Sequence, residues 1–260
     1  MMTPTRWWPG AMPALVAVVM ICWSTPLPAY AGGRADLLRI CTTGDYRPLT
    51  HRDPATGIYS GVDIDMATNL AAFLGREPRF VATTWPTLDR DFTTPGRCDI
   101  AMGGITETPA RQAIADFTQP YLASGKVPLV AVEDADRFGS IEQIDQPGVR
   151  VVENPGGTNE QFARRHFPHA DITIWPDNAT IFAHLAAGNA DVMITDAIEA
   201  VYQSSQYPGL VAVHPDRPFT TERKAYMLPK GSPMTEAVEA WLGKALEDGT
   251  FGRIYHHWVG

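Results

Sequence analysis

What this chain has little of narrows its function before any motif is read. Clustered Lys and Arg are missing, and the net charge is −8. A phosphate-binding surface needs such clusters, so no nucleic-acid partner is expected. Beyond the N-terminal segment no apolar run is long enough to cross a membrane. Cysteine is scarce, at 3 in the whole chain. There is no Gly-x-Ser-x-Gly elbow and no P-loop. His166-x-x-His169 and the His256-His257 pair lack partners at metal spacing, and Pro168 interrupts the first. No nucleotide, metal or other cofactor is therefore expected.

What is there begins with a leader. Arg6 precedes an apolar stretch at residues 11–23, and Ala29-Tyr30-Ala31 follows as an A-x-A site. This is the pattern of a secretory signal peptide over residues 1–31. The mature chain is then expected to work in the periplasm, with no stable membrane association once the signal is cleaved. Cys41 and Cys98 survive processing, and an oxidising compartment would permit their pairing. Spacing alone leaves that pairing open.

Strand and helix signals alternate after the leader, as in an α/β protein. Strands are read at 38–42, 80–83 and 99–103, with a helix over 64–74 between the first two and a brief helix from Trp85 to Phe92. A second unit has strands at 149–152, 172–175, 191–195 and 210–213. Thr158-x-x-Gln161 reads as a capping box opening a helix to about His166. Each unit implies a parallel sheet with right-handed crossovers. Residues 121–132 and 214–224 read as two crossing segments, with C-terminal helices over 235–247 and 251–258. The expected fold is thus two α/β lobes around a cleft that closes on a small-molecule ligand. Lobe 1 takes residues 32–124 and 219–260, and lobe 2 takes residues 125–218.

The most informative stretch is Val192-Met193-Ile194-Thr195-Asp196-Ala197-Ile198-Glu199. A strand ends and a helix starts, with two carboxylates one turn apart. The carboxyl end of such a strand is a usual ligand position. One acid there suits the binding of an ammonium group, and a second suggests proton chemistry. Gly157 and Thr158 sit at a helix start in the same unit, where free N–H groups attract an anion.

Gly61-Val62-Asp63-Ile64-Asp65-Met66, the stretch 99–111 and Asp116-Phe117-Thr118-x-Pro120-Tyr121 resemble the periplasmic amino-acid-binding proteins of ABC transporters, with their type II two-lobed fold. A narrower resemblance lies in Cys41-Thr42-Thr43-Gly44-Asp45-Tyr46, residues 143–149, residues 154–160 and residues 195–200. These are similar to the cyclohexadienyl dehydratase family, which converts prephenate to phenylpyruvate or arogenate to phenylalanine. Where that family's pattern has Ser-Gly-Ile-Ser, this chain has Gly103-Gly104-Ile105-Thr106.

The resemblance implies roles. Arg111 would grip a ligand carboxylate, helped by Thr106 and Gly104, because a planar guanidinium makes two parallel bonds to it. Gly157 and Thr158 would form a second anion contact, fitting the two carboxylates of prephenate. Tyr46 and Trp85 would hold the ring, the alternative for each being core packing. Lys126 would balance the ligand's second charge, the alternative being an exposed lysine. Asn178, with Thr180, is either a helix cap or a ligand contact. Asp196 would hold the amine of arogenate. Glu199 is the candidate general acid, since hydroxide leaves poorly without a proton. Free Glu titrates near ~4.3, and burial with Asp196 nearby raises it while the helix N-terminus lowers it. Burial is the larger effect, so a raised pKa is expected if closure buries Glu199, the alternative being a solvated Glu on the helix face. The alternative reading is a non-enzymatic amino-acid-binding component of an ABC transporter.

Overall fold

Two five-stranded sheets organise the chain, and the ends of their strands meet at one cleft. The computed structural model describes residues 1–3 and 36–260, so the expected signal segment lies, apart from its first three residues, outside the described part. Residues Ala35–Gly260 form one compact unit. Among the described residues no helix is long and apolar enough to cross a membrane.

The first sheet runs in the order Glu77–Ala82, Leu37–Thr42, Ile100–Ala101, Met227–Pro229, Ala115–Phe117. The second runs Asp171–Ile174, Arg150–Glu153, Val192–Asp196, Lys126–Ala131, Leu210–Ala212. Neither is purely parallel, which corrects the sequence reading. Met227–Pro229 lies antiparallel to both its neighbours, and so does Lys126–Ala131. Both are the strands by which the chain arrives from the other sheet. A strand that arrives this way, without a helical crossover, is free of the constraint that makes β-α-β neighbours parallel.

Only part of each expected crossing segment crosses. Leu122–Ser124 pairs antiparallel with Glu222–Lys224 in a two-stranded ladder. The remainder of the first segment is sheet strand. Gly125 follows the ladder, where a Cβ would lie 1.9 Å from the Thr220 carbonyl oxygen. Any side chain there would push the two crossing strands apart.

Period-two alternation builds the core of the second sheet. Val127, Leu129 and Met193 pack on one face with Phe182 and Leu185 of the helix Ile181–Ala186. Val130, Val192 and Ile194 pack on the other with Phe162 of the helix Thr158–His166. Burial on both faces accounts for the nearly continuous apolar runs in these strands. In the first sheet, Met66, Ala67 and Leu70 of the helix Val62–Phe73 cover Leu38 and Ile40, joined by Trp241 and Leu242 of the helix Thr235–Glu247. Cys41 and Cys98, left open from sequence, are disulfide-bonded with Cα atoms 5.6 Å apart.

Several boundaries also move. The first edge strand begins at Glu77 rather than 80, and the helix expected from Trp85 spans Leu88–Thr93, with Trp85 in the preceding turn. The short helices Pro109–Ile114 and Ile141–Ile144 and the strands between Asp45 and Ser60 were not legible as elements.

Candidate functional site

Strand register places the most heavily bonded group of the cleft. In the second sheet Asp196 lies directly opposite Lys126. Residues opposed across an antiparallel pair are close enough for an ion pair, and Lys126 Nζ donates to Asp196 Oδ1 at 2.9 Å. Lys224 reaches the same carboxylate from the crossing ladder, Nζ to Oδ2 at 2.6 Å. The Tyr46 hydroxyl also donates to Oδ2, at 2.5 Å. All four side chains are buried. Burial alone would push the Asp196 carboxyl up. The two ammonium groups and the bonds from Lys224 and Tyr46 outweigh it and hold the carboxyl well below the usual carboxylate range.

Lys126 Nζ also donates to Thr158 Oγ1 at 2.7 Å and to Asn159 Oδ1 at 2.6 Å. That bond overturns the capping-box reading. The helix Thr158–His166 starts after Gly157 with no side-chain cap, and the Thr158 hydroxyl serves the lysine instead. Burial of Lys126 among acceptors made this the stronger demand, since an ammonium out of water must have its hydrogens bonded. The reading of Lys126 as an exposed lysine is likewise excluded.

Asp196 is the residue just before the helix Ala197–Gln206, and Glu199 lies in its first turn. Glu199 is 1% exposed. Its Oε2 accepts from the Thr195 hydroxyl at 2.6 Å, while Oε1 has no partner. The Thr195 hydroxyl is itself held by Asn159 Nδ2 at 3.3 Å, so its hydrogen is directed at Glu199. A proton carried by Glu199 therefore belongs on Oε1. Burial raises this carboxyl well above its ordinary value, and Asp196 and Asp45 add to the rise. The Thr195 bond and Lys224 oppose it and lose. A buried carboxyl whose pKa is pushed up, with one oxygen uncommitted, is the form a general acid needs.

One cavity is lined by Tyr46, Trp85, Gly104, Thr106, Arg111, Gly157, Thr158, Asn178, Asp196 and Glu199, and also by Asn154, Asn159 and Lys224. Of the residues singled out from sequence, Lys126 and Thr180 are not on this wall, Lys126 standing behind Asp196. Tyr46 and Trp85 meet edge to face, ring centroids 5.8 Å apart. Arg111 belongs to the helix Pro109–Ile114, whose start Thr108 caps by accepting from the Arg111 N–H at 3.3 Å. Its Nη1 donates to the Thr106 carbonyl at 3.1 Å and its Nε to Asp89 at 3.2 Å. Among the described residues Nη2 bonds nothing. Gly104 contributes by having no side chain. Its N–H is committed to Asp63 Oδ2 at 2.6 Å, and a Cβ would lie 2.2 Å from the Tyr46 ring. Asn178 is not a cap. Its Nδ2 donates to the Asp45 carbonyl at 2.8 Å, and its Oδ1 is buried without a partner. Thr180 accepts instead from the Trp175 indole at 2.9 Å.

The model of the bacterial extracellular solute-binding proteins, family 3, matches residues 38–260 of this chain. The chain belongs to this family. Within it, the chain is 47% identical over 223 residues to the cyclohexadienyl dehydratase of Pseudomonas aeruginosa, covering 86% of this chain and 82% of that one. The glutamine-binding protein of a Bacillus subtilis ABC transporter is 27% identical over 83% of this chain and 78% of its own. Among solved structures, an ancestral amino acid-binding protein described as a precursor of cyclohexadienyl dehydratase superposes with a TM-score of 0.78. It is 36% identical and covers 86% of this chain and 95% of its own. An ancestral cyclohexadienyl dehydratase is 51% identical, with a TM-score of 0.52, covering 86% and 92%.

Three wall residues of this solute-binding protein escaped the sequence reading. Asn154 and Asn159 flank the Gly-Gly turn that was read for its backbone alone. Asn159 Nδ2 donates to Asn154 Oδ1 at 3.3 Å, and the Asn159 side chain links Lys126 to Thr195. Lys224 gave no local signal. One prediction tests the anion end of the wall. Arg111→Lys keeps the charge and loses the planar fork, so affinity for a carboxylate ligand should fall by about 1.5–3 kcal/mol. Calorimetric titration checks this, with the melting temperature of the unliganded variant measured separately. That control isolates the ligand contact from the Asp89 and Thr106 bonds. Unchanged affinity would remove Arg111 as the carboxylate anchor.

Proposed function

We propose that this protein is a periplasmic cyclohexadienyl dehydratase, converting prephenate to phenylpyruvate or arogenate to phenylalanine. The reaction expels water and carbon dioxide and leaves an aromatic ring. The observation that carries this reading is Glu199, buried, with its pKa pushed up and with Oε1 unpartnered on the cavity wall. In this mechanism Arg111 and the Gly157–Thr158 turn hold the anionic groups, and Tyr46 and Trp85 flank the ring. Glu199 gives its proton to the ring hydroxyl as the C–O bond breaks. The C–C bond to the departing carboxylate supplies the electrons that complete the aromatic ring. Glu199 is left ionised and must regain a proton before the next turnover.

The kinship to the P. aeruginosa dehydratase supports the same reading, and the paired Asp196 removes a difficulty with it. A bare carboxylate would repel a dianionic substrate, whereas one bonded to two ammonium groups does not. The test is incubation of the purified protein with prephenate and with arogenate, following phenylpyruvate and phenylalanine. Turnover of at least one is expected. No turnover of either, together with tight binding of an amino acid, would identify the protein as a transporter's binding component instead.

A further inference from the structure

Each turnover of the proposed reaction consumes one proton. A dianionic prephenate becomes a monoanionic phenylpyruvate, carbon dioxide and water, and Glu199 supplies the hydrogen. Yet Glu199 is 1% exposed, and the space enclosed by its cavity wall is about 20 Å³, enough for about one water. A route for the proton's return lies along the helix Ala197–Gln206. Glu199, Gln203 and Gln206 stand at spacings of four and three, on one face of that helix. Glu199 lines the main cavity, whereas Gln203 and Gln206 line a second cavity of about 480 Å³, room for a cluster of waters. Asn178 belongs to both walls.

Asp45 lines the second cavity beside Asn178, whose Nδ2 donates to the Asp45 carbonyl at 2.8 Å. Its Oδ1 is buried with no partner among the described residues, and so are Asn178 Oδ1 and Glu199 Oε1. Three buried acceptors without donors thus run from the main cavity to the second. Water meets such acceptors in pairs, since it donates two hydrogens. Of the three groups only the two carboxyls can take up and release a proton. The charge of Asp45 is among those that raise the Glu199 carboxyl, so the two are close. Burial also pushes the Asp45 carboxyl up, and Asp177 adds to the rise, so Asp45 holds a proton nearer neutral pH than an exposed Asp does. The other charged groups on its cavity wall are Arg47 and His51. Arg47 turns to the Tyr202 hydroxyl, Nη1 to oxygen at 3.5 Å.

We propose that Asp45 returns to Glu199 the proton that each turnover spends, drawing it from the second cavity. The inference rests on the dehydratase reading. A hydronium ion or a buffer acid in the second cavity protonates Asp45. The Asp45 O–H then breaks as a new O–H forms at Glu199 Oε1, with one water relaying the hydrogen. Asp45 is left ionised and ready for the next acid. It touches no substrate and acts through Glu199.

The test is Asp45→Asn, which keeps the shape and cannot relay a proton. With enzyme in excess, phenylpyruvate should form from prephenate at the wild-type rate, because Glu199 starts protonated. With substrate in excess, the first turnover should stay fast and the steady rate should fall by at least about tenfold. Imidazole should restore that rate in proportion to its concentration and leave the wild type unchanged. A steady rate equal to the wild type's means that Glu199 recharges through the open cleft, and overturns the proposal. So does a first turnover slowed as much as the later ones, or a slow phase that imidazole does not move. Gln206→Trp, which fills the second cavity from its exposed rim, covers the case in which Asp45→Asn fails to fold. It should give the same fast first turnover and slow later ones, and an unaltered steady rate overturns the proposal. A readout without turnover separates the two readings. On transfer of the unliganded protein to D2O, the infrared carboxyl band that Glu199→Gln removes should exchange at least about tenfold more slowly in Asp45→Asn. Equal exchange overturns the relay, whereas a wild type that turns over neither substrate sinks the dehydratase reading.

Discussion

Glu199→Gln should reduce kcat for prephenate by at least about a hundredfold while KM stays within a few fold, because a placed general acid is worth about 10²–10⁴ in rate. The amide fills the same space and can still accept from the Thr195 hydroxyl. What it lacks is a proton to give. The fold should not suffer. In the wild type this carboxyl titrates higher in the folded state than in the unfolded chain. Its contribution to stability therefore falls as pH rises above the unfolded value near ~4.3, a penalty the amide avoids. Urea unfolding at neutral pH should show the variant at least as stable as the wild type. The wild-type rate profile should carry an alkaline limb, activity being lost as pH rises through the raised pKa of Glu199. That limb should vanish with the residual activity of the Gln variant. Steady-state phenylpyruvate formation decides it, and a variant that keeps most of its turnover would take Glu199 out of the reaction.

Asp196→Asn should be the most destabilising single change at the site, by about 3–5 kcal/mol, because removing one partner of a buried ion pair strands the other. Here two partners are stranded, Lys126 and Lys224, both essentially without exposure. Glu222 stands 3.4 Å from Lys126 and 3.9 Å from Lys224, too far to replace two short bonds. The pH dependence has a definite sign. The folded pKa of Asp196 lies below the unfolded value. Its contribution is thus fully present above about 3.9 and is lost as pH falls toward the depressed folded value. The gap between wild type and variant should accordingly narrow in acid. Denaturant unfolding of the unliganded protein at several pH values measures it, and a variant within about 1 kcal/mol of the wild type at neutral pH would contradict the buried-pair account.

Much of the site was legible because its signals are local. The strand ending before Ala197 and the two acids one turn apart are set by periods of two and 3.6 along a single stretch of chain. Glycines before a helix, and an arginine just past a strand end, are likewise read within a few residues of themselves. The same local character explains why most elements were placed to within two or three residues.

What escaped depends on segments far apart in sequence. The mixed direction of both sheets follows from how the chain travels between them, which no periodicity records. Thr158 looked like a cap because its neighbours fit one, yet a lysine 32 residues earlier claims its hydroxyl. Lys224 lies 28 residues after Asp196 and 118 after Thr106, and only the crossing ladder brings the three together. The raised pKa expected of Glu199 hung on its burial, which the sequence leaves open for the same reason. The sequence by itself determined which acids stand at the strand end and how they are spaced. The tertiary structure alone decided that the Asp196 carboxyl is held low and the Glu199 carboxyl pushed up, because desolvation and the placing of two distant ammonium groups are properties of the packed chain.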